Sequence, residues 1–170
     1  RDCLDAIIPY LDAANIDLKS MEDPFYNKVC HARVEPILEN LRILRNAGVH
    51  LEITTLVIPT LSDNLIMLEK VAEFIANDLG KDTPWHLSRF APEISWKLKE
   101  LPETSREILA KAYEIGKDAG LNFVYASGYQ DNTYCPDCGE LLIERIYYRV
   151  KKFDKEGKCP RCGKRLKLEI

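Results

Sequence analysis

The sequence predicts an α/β fold, part of a barrel without its first strands, followed by a small cysteine-rich module at the C-terminus. Three observations carry this reading. Strand-like apolar runs alternate with runs whose apolar residues recur at helical spacing. Each helical run stops at a glycine, Gly48, Gly80 or Gly120, where the left-handed C-cap excludes most side chains. Beyond residue 132 the composition changes and two CPxCG motifs appear.

The chain begins RDCLDAIIPYLDA without an initiator methionine. This segment reads as the middle of a helix entering a strand, and the expectation is a fragment of a longer chain. Ala13–Leu18 (AANIDL) is a short strand. Pro36–Ala47 places Ile37, Leu38, Leu41, Leu44 and Ala47 on one helical stripe. His50–Ile58 (HLEITTLVI) is rich in β-branched residues and stops at Pro59, the mark of a second strand. Asn64–Leu79 repeats the stripe with Leu65, Leu68, Val71, Ala72, Ile75 and Leu79, and Asp63 is its candidate cap. Trp85–Phe90 is a third strand. Glu103–Ala119 is a third helix, with Ile108, Leu109, Ala112, Ile115 and Ala119, and Thr104 with Glu107 forms its expected capping box. Asn122–Tyr125 starts a fourth strand. Alternation of this kind implies a parallel sheet with helical crossovers. AANIDLK and HLEITTL carry polar residues mid-strand, which a barrel interior accommodates better than a doubly wound sheet. The expected boundaries are 1–132 for the partial barrel and 133–170 for the small module, joined by a polar link, Tyr129–Thr133.

Composition bounds the rest. Hydrophobic residues make up 46% and charged residues 30%, the profile of a soluble globular protein. No apolar run reaches the roughly 18 residues of a membrane span, and a cytoplasmic location is the expectation. The net charge of −3 hides an acidic body and a basic tail, since residues 133–170 hold ten Lys/Arg and six Asp/Glu. A basic tail suits nucleic acid, or is the solvated face of a small domain.

Cys135 and Cys138 in CPDCG, and Cys159 and Cys162 in CPRCG, are the metal candidates. Each CPxCG is a knuckle whose two cysteines grip one ion and whose glycine permits the tight return. Two knuckles supply four thiolates in a tetrahedron, the donor set of structural zinc, with rubredoxin-like iron as the competitor. ELLIERIYYRVKKF between them has strand character, and residues 166–170 (LKLEI) can pair with it, giving a zinc ribbon. So small a domain builds little core, so metal binding supplies much of its folding energy. Cys3 and Cys30 lack cluster spacing; Cys30-His31 alone is a weak metal pair.

Three further places draw notice. Asp17 and Lys19 flank Leu18 at the C-terminal end of the first strand, where barrel enzymes place functional groups. Two apart, they project to one side of an extended chain, and a solvated strand end is the plain alternative. Glu52 and Thr54 lie inside the second strand, where a glutamate needs a partner; Lys19 and Arg89 are the expected ones. His86 and Arg89 lie in the third strand.

DAANIDLK, LEITTLVIPTLSDN, PWHLSRFAP and GLNFVYASGYQDNTYCPDCGELLI, in this order, resemble the C-terminal half of the radical SAM proteins of the AmmeMemoRadiSam system, relatives of the pyruvate formate-lyase activating enzymes. The resemblance covers essentially the whole chain. It implies a partial (β/α)6 barrel that holds a [4Fe–4S] cluster and S-adenosylmethionine (SAM), and an oxidoreductase that cleaves SAM reductively to a 5′-deoxyadenosyl radical for hydrogen abstraction. Asp17 and Lys19 are carried over as SAM-pocket residues, and Glu52, Thr54, His86 and Arg89 as lining the same cavity. The CxxxCxxC that binds the cluster in such proteins lies upstream and is absent here. The expectation for this chain is one zinc, with the cluster, SAM and an unknown substrate, a protein among the candidates, belonging to the intact enzyme. Half a barrel also exposes strand edges through which a fragment self-associates. The rival expectation is a non-enzymatic scaffold whose zinc ribbon binds a protein or nucleic acid partner.

Overall fold

A short helix, a 3₁₀ turn and a sheet strand open the chain in the computed structural model, which describes residues 2–146 and 149–166. The chain divides into two compact units between Tyr129 and Gln130. In the first, α1 (Asp2–Ile7) leads through a 3₁₀ turn into β1 (Ala13–Asp17), as the opening residues suggest. Then come α2 (Asp23–Phe25), continued by a π-helical turn Tyr26–Cys30, α3 (Glu35–Asn46), β2 (His50–Val57), and α4 (Leu65–Phe74), continued by a π-helical turn Ile75–Leu79. β3 (Trp85–Arg89), α5 (Arg106–Asp118) and β4 (Val124–Ala126) complete it.

The four strands pair in parallel in the order β1-β2-β3-β4. Crossovers between parallel strands are right-handed, so a sheet wound always in one direction puts every crossover helix on the same face. The packing agrees: α3, α4 and α5 join β2, β3 and β4 in one apolar core. Leu51, Ile53, Thr55 and Val57 are buried along β2, while His50, Glu52, Thr54 and Leu56 alternate with them and stay half-exposed. In β3 and β4, Trp85, Leu87, Val124 and Ala126 face the helices. Each large apolar side chain buried this way contributes about 1.5–3 kcal/mol. The opposite face carries the polar alternates.

Trp85 organises this core. Its indole is fully buried and its Nε1–H donates to Thr55 Oγ1 at 2.9 Å. Thr55 Oγ1–H donates to the Leu18 carbonyl at 2.8 Å. α5 comes so close that a Cβ on Gly116 would lie 2.8 Å from Val124 Cγ2 and 3.0 Å from the indole.

Some local expectations change. The caps shift by one residue. Asn64, not Asp63, caps α4 by accepting from the Met67 amide at 3.1 Å, because Asp63 Oδ1 already accepts from the Thr60 amide at 2.9 Å. Ser105, not Thr104, caps α5. Thr104 is buried instead: its hydroxyl accepts from the Phe90 amide and donates to the Val57 carbonyl, while Glu107 pairs with Lys111. A tertiary partner thus takes each side chain that sequence alone assigns to a cap. The helical turn from Asp23 to Cys30 lay outside the sequence pattern; it is only two turns long and carries Pro24 at its start.

The second unit is a three-stranded antiparallel sheet of β5 (Thr133–Tyr134), β6 (Leu141–Ile146) and β7 (Arg149–Lys152). Its buried residues include Thr133, Leu142, Ile143 and Leu166 besides two cysteines, a small core for a folded unit. Arg145 braces its start: the backbone amide donates to Asn132 Oδ1 at 2.7 Å, and the guanidinium donates to the Thr133 hydroxyl at 2.8 Å. Leu166 donates to the Gly157 carbonyl at 2.8 Å; the expected pairing of the rest of LKLEI, residues 167–170, lies outside the described residues.

Candidate functional site

The polar face of the parallel sheet is built by strand parity. Asn15 and Asp17 on β1, His50, Glu52 and Thr54 on β2, His86 on β3 and Tyr125 on β4 share it, because alternate residues of a strand face the same way. Thr54 Oγ1–H donates to Asn15 Oδ1 at 2.8 Å, and Asn15 Nδ2–H donates to Glu52 Oε2 at 3.3 Å. His86 Nε2 lies 3.1 Å from the same Oε2, and its ring stacks on Tyr125 with centroids 5.0 Å apart. His50 Nε2 is 3.8 Å from Glu52 Oε1. One row of polar contacts therefore crosses β1, β2 and β3, and the ring stack extends it to β4.

Asp17 and Lys19 form an ion pair of 2.8 Å at the end of β1. Between them Leu18 is fully buried, with its amide on the Thr54 carbonyl at 2.9 Å and its carbonyl held by Thr55. The Lys19 amide donates to the hydroxyl of Tyr26, a buried residue of the turn that follows α2. The two charged side chains thus project from a backbone fixed on both sides. The observed partners of Glu52 are not those the sequence suggested. Lys19 turns to Asp17, and Arg89 pairs with Glu103 at 3.3 Å, while Asn15 and His86 take the glutamate. Asn15 and His50 escaped the sequence reading, though each stands two residues before a residue already singled out.

Glu52 is held down to about 2, by the His86 hydrogen bond first, against burial, with help from the His86 charge, Asn15 and His50. A depressed carboxylate stabilises the fold above its unfolded value near 4.5, and that contribution disappears as pH falls toward 2. The side chain is about one-third exposed, so solvent screening reduces the effect to on the order of 1 kcal/mol. Glu52→Gln is therefore expected to lower the melting temperature at pH 6 and to converge with the parent near pH 2. Melts that stay offset by the same amount across this range would refute the assignment.

The second centre lies in residues 135–162. The sulfurs of Cys135 and Cys162 are 3.6 Å apart, as are those of Cys138 and Cys159, and all four lie within 4.8 Å of one another. A tetrahedron with metal–sulfur bonds of ~2.3 Å has edges of ~3.8 Å, so the donor set fits a single tetrahedral ion. The two knuckles repeat each other. Gly139 and Gly163, with φ of 72° and 76°, return their amides to the Cys135 and Cys159 carbonyls at 2.9 Å. Cys135 and Cys159 in turn donate to the Glu140 and Lys164 carbonyls. Four thiols this close do not ionise together. For Cys138 the Glu140 amide favours the thiolate, but burial and the neighbouring sulfurs outweigh it and push the thiol up to about 12. Cys159 goes the other way, to about 7: burial opposes ionisation, and the Cys162 and Arg161 amides overcome it. A cation at the centre is what makes all four thiolates compatible. Among the described residues this is the one group of three or more such ligands; Cys3 is exposed, Cys30 is half-buried, and neither joins it.

No protein-family model matches the chain. It is 40% identical over 167 residues to an uncharacterized protein of Methanocaldococcus jannaschii, an alignment covering 94% of this chain and 49% of that protein. It is 31% identical over 74 residues to the (2S)-3-sulfopropanediol dehydratase activating enzyme of Klebsiella oxytoca, covering 44% of this chain and 23% of that enzyme. The chain thus spans about half the length of the first relative and about a quarter of the second. Among solved structures, a domain of the pyruvate-formate lyase-activating enzyme from Bacteroides vulgatus superposes with a TM-score of 0.65 at 22% identity, over 75% of this chain and 74% of that one. The chain therefore shares the fold of that domain. No helix among the described residues is long and apolar enough to cross a membrane.

Proposed function

We propose that this chain is the C-terminal portion of a radical SAM enzyme of the activating-enzyme type, an oxidoreductase in its intact form. The observation that carries the reading is the polar face of the first unit: a parallel sheet whose crossover helices α3, α4 and α5 pack on one side, with charged and hydrogen-bonding groups from the strands on the other. A partial (β/α)6 barrel uses such a face as its interior, and the likenesses to two activating enzymes support that use. Placement in the AmmeMemoRadiSam group rests on the sequence segments quoted above. When bound, SAM and a [4Fe–4S] cluster supply a 5′-deoxyadenosyl radical. This chain's part is to bind and orient: the Asp17–Lys19 pair takes SAM's charged groups, and Thr54 and His86 line the cavity, whereas Arg89 has the strand parity of Trp85 and Leu87 and is held by Glu103. In this reading the four cysteines hold a structural zinc and not the cluster, because sulfurs within 4.8 Å of one another suit a single tetrahedral ion. A protein substrate suits the activating-enzyme type.

The test is anaerobic incubation of the intact, cluster-loaded protein with SAM and a low-potential reductant, followed by quantification of 5′-deoxyadenosine. Formation is expected, and Lys19→Ala is expected to reduce it about 10- to 100-fold, the worth of a charge-assisted contact. A loaded protein that makes none would exclude the reading. A second reading, a zinc ribbon that docks an acidic partner, is favoured by β7, whose Arg149, Lys151 and Lys152 are all exposed. Inertness toward SAM together with partner binding that needs β7 would favour it instead.

A further inference from the structure

We propose that Glu52 fixes the His86 imidazole in its Nε2–H form and leaves Nδ1 as a proton acceptor on the polar sheet face, for an O–H or N–H donor of a bound ligand. The ligand's place on this face rests on the function proposed above; the state of the imidazole does not.

The hydrogen-bond inventory carries the first half. An ionised carboxylate only accepts, so the contact of 3.1 Å between Glu52 Oε2 and His86 Nε2 requires the proton on Nε2. The neighbouring amide cannot reverse this. Asn15 Oδ1 accepts from the Thr54 hydroxyl, which turns Nδ2–H toward Glu52 as a second donor. The hydroxyl of Thr54, on the other side of Asn15, keeps that orientation. Stacking on Tyr125 at an interplanar angle of 22° restrains rotation of the ring. The neutral imidazole is left with its lone pair at Nδ1, for which no hydrogen-bond partner exists among the described residues.

Exposure and charge carry the second half. The His86 side chain is about one-third exposed, so Nδ1 belongs to a ring that solvent and ligands reach. A proton moved from a ligand O–H or N–H to Nδ1 yields an imidazolium whose Nε2–H stays on the Glu52 carboxylate, which stabilises the new charge. Glu52 is then a positioning residue, and His86 is the group that meets the ligand. The sequence reading had both lining the cavity as equals.

Two measurements on the chain itself, without cluster or SAM, test this. Nitrogen-15 NMR of the neutral imidazole is expected to show a protonated Nε2 and an unprotonated Nδ1 at His86, with both tautomers populated in Glu52→Gln. Diethyl pyrocarbonate, which acylates unprotonated imidazole nitrogen, is expected to modify His86 in the folded chain, and about fivefold more slowly in Glu52→Gln. A purely structural Glu52–His86 contact would give the tautomer without the reactivity. An Nδ1–H tautomer in the parent chain, an unreactive His86, or a rate indifferent to Glu52→Gln overturns the proposal. None of these results bears on SAM cleavage, and absence of SAM cleavage would leave the pair in place.

Discussion

Cys138→Ser is expected to unfold residues 130–166 while leaving the parallel sheet intact. The second unit buries few apolar side chains, among them Leu142, Ile143 and Leu166. A unit of this size gains little from such a core and depends on a staple. The proposed staple is an ion held by its four sulfurs, and structural zinc contributes about 10–16 kcal/mol of apparent binding energy near pH 7. Serine offers a hard, protonated hydroxyl in place of a thiolate, and three sulfurs do not complete the tetrahedron. Metal analysis of the parent chain is expected to give one zinc and no iron–sulfur cluster, and Cys138→Ser is expected to lose the metal. Limited proteolysis should then cut the variant in β6 and β7 and spare residues 13–126. A variant that keeps its metal and resists cleavage there would contradict a structural role for the centre; iron in the parent chain would favour the rubredoxin-like alternative.

Trp85→Ala is expected to destabilise the first unit by about 3–5 kcal/mol, the usual cost of deleting a large buried aromatic side chain. The indole sits in a central strand against Gly116, so the cavity opens where α5 meets the sheet. The substitution also removes the Nε1–H that donates to Thr55 Oγ1, the oxygen whose own hydrogen holds the Leu18 carbonyl. Leu18 carries Asp17 and Lys19 on either side, so the damage reaches the polar face. Trp85→Phe, which keeps most of the volume but not the donor, is expected to cost less and still to loosen Leu18. Denaturant melts measure the first effect, and hydrogen exchange at the Leu18 amide measures the second. A Trp85→Ala chain within about 1 kcal/mol of the parent would mean the core does not close on this residue.

Much of this architecture was legible because the physics is periodic. Leu38, Leu41 and Leu44 repeat at helical spacing and are buried along α3; Leu51, Ile53 and Val57 alternate and are buried along β2. Gly48, Gly80 and Gly120 mark the helix ends, each with positive φ. Side-chain partnerships were less legible, because a partner far along the chain leaves no local mark. Thr104 reads as a cap and is instead a buried clasp between Phe90 and Val57. Glu52 reads as awaiting a cation, yet its partners are Asn15 and His86, 37 and 34 positions away. The convergence of the four cysteines was legible, since paired knuckles impose their own geometry. The turn after α2 was not, and with it went Tyr26, which fixes Lys19 from outside any periodic pattern.

In the proposed function, SAM occupies the polar face of the sheet. Hydrogen–deuterium exchange of the intact, cluster-loaded protein, with and without SAM, tests it directly. Protection on SAM addition is expected in peptides spanning residues 13–20, 50–58 and 85–91, and none is expected across α4 or residues 135–162. Protection confined to the cysteine centre or the helices, with the three strands unchanged, would contradict it.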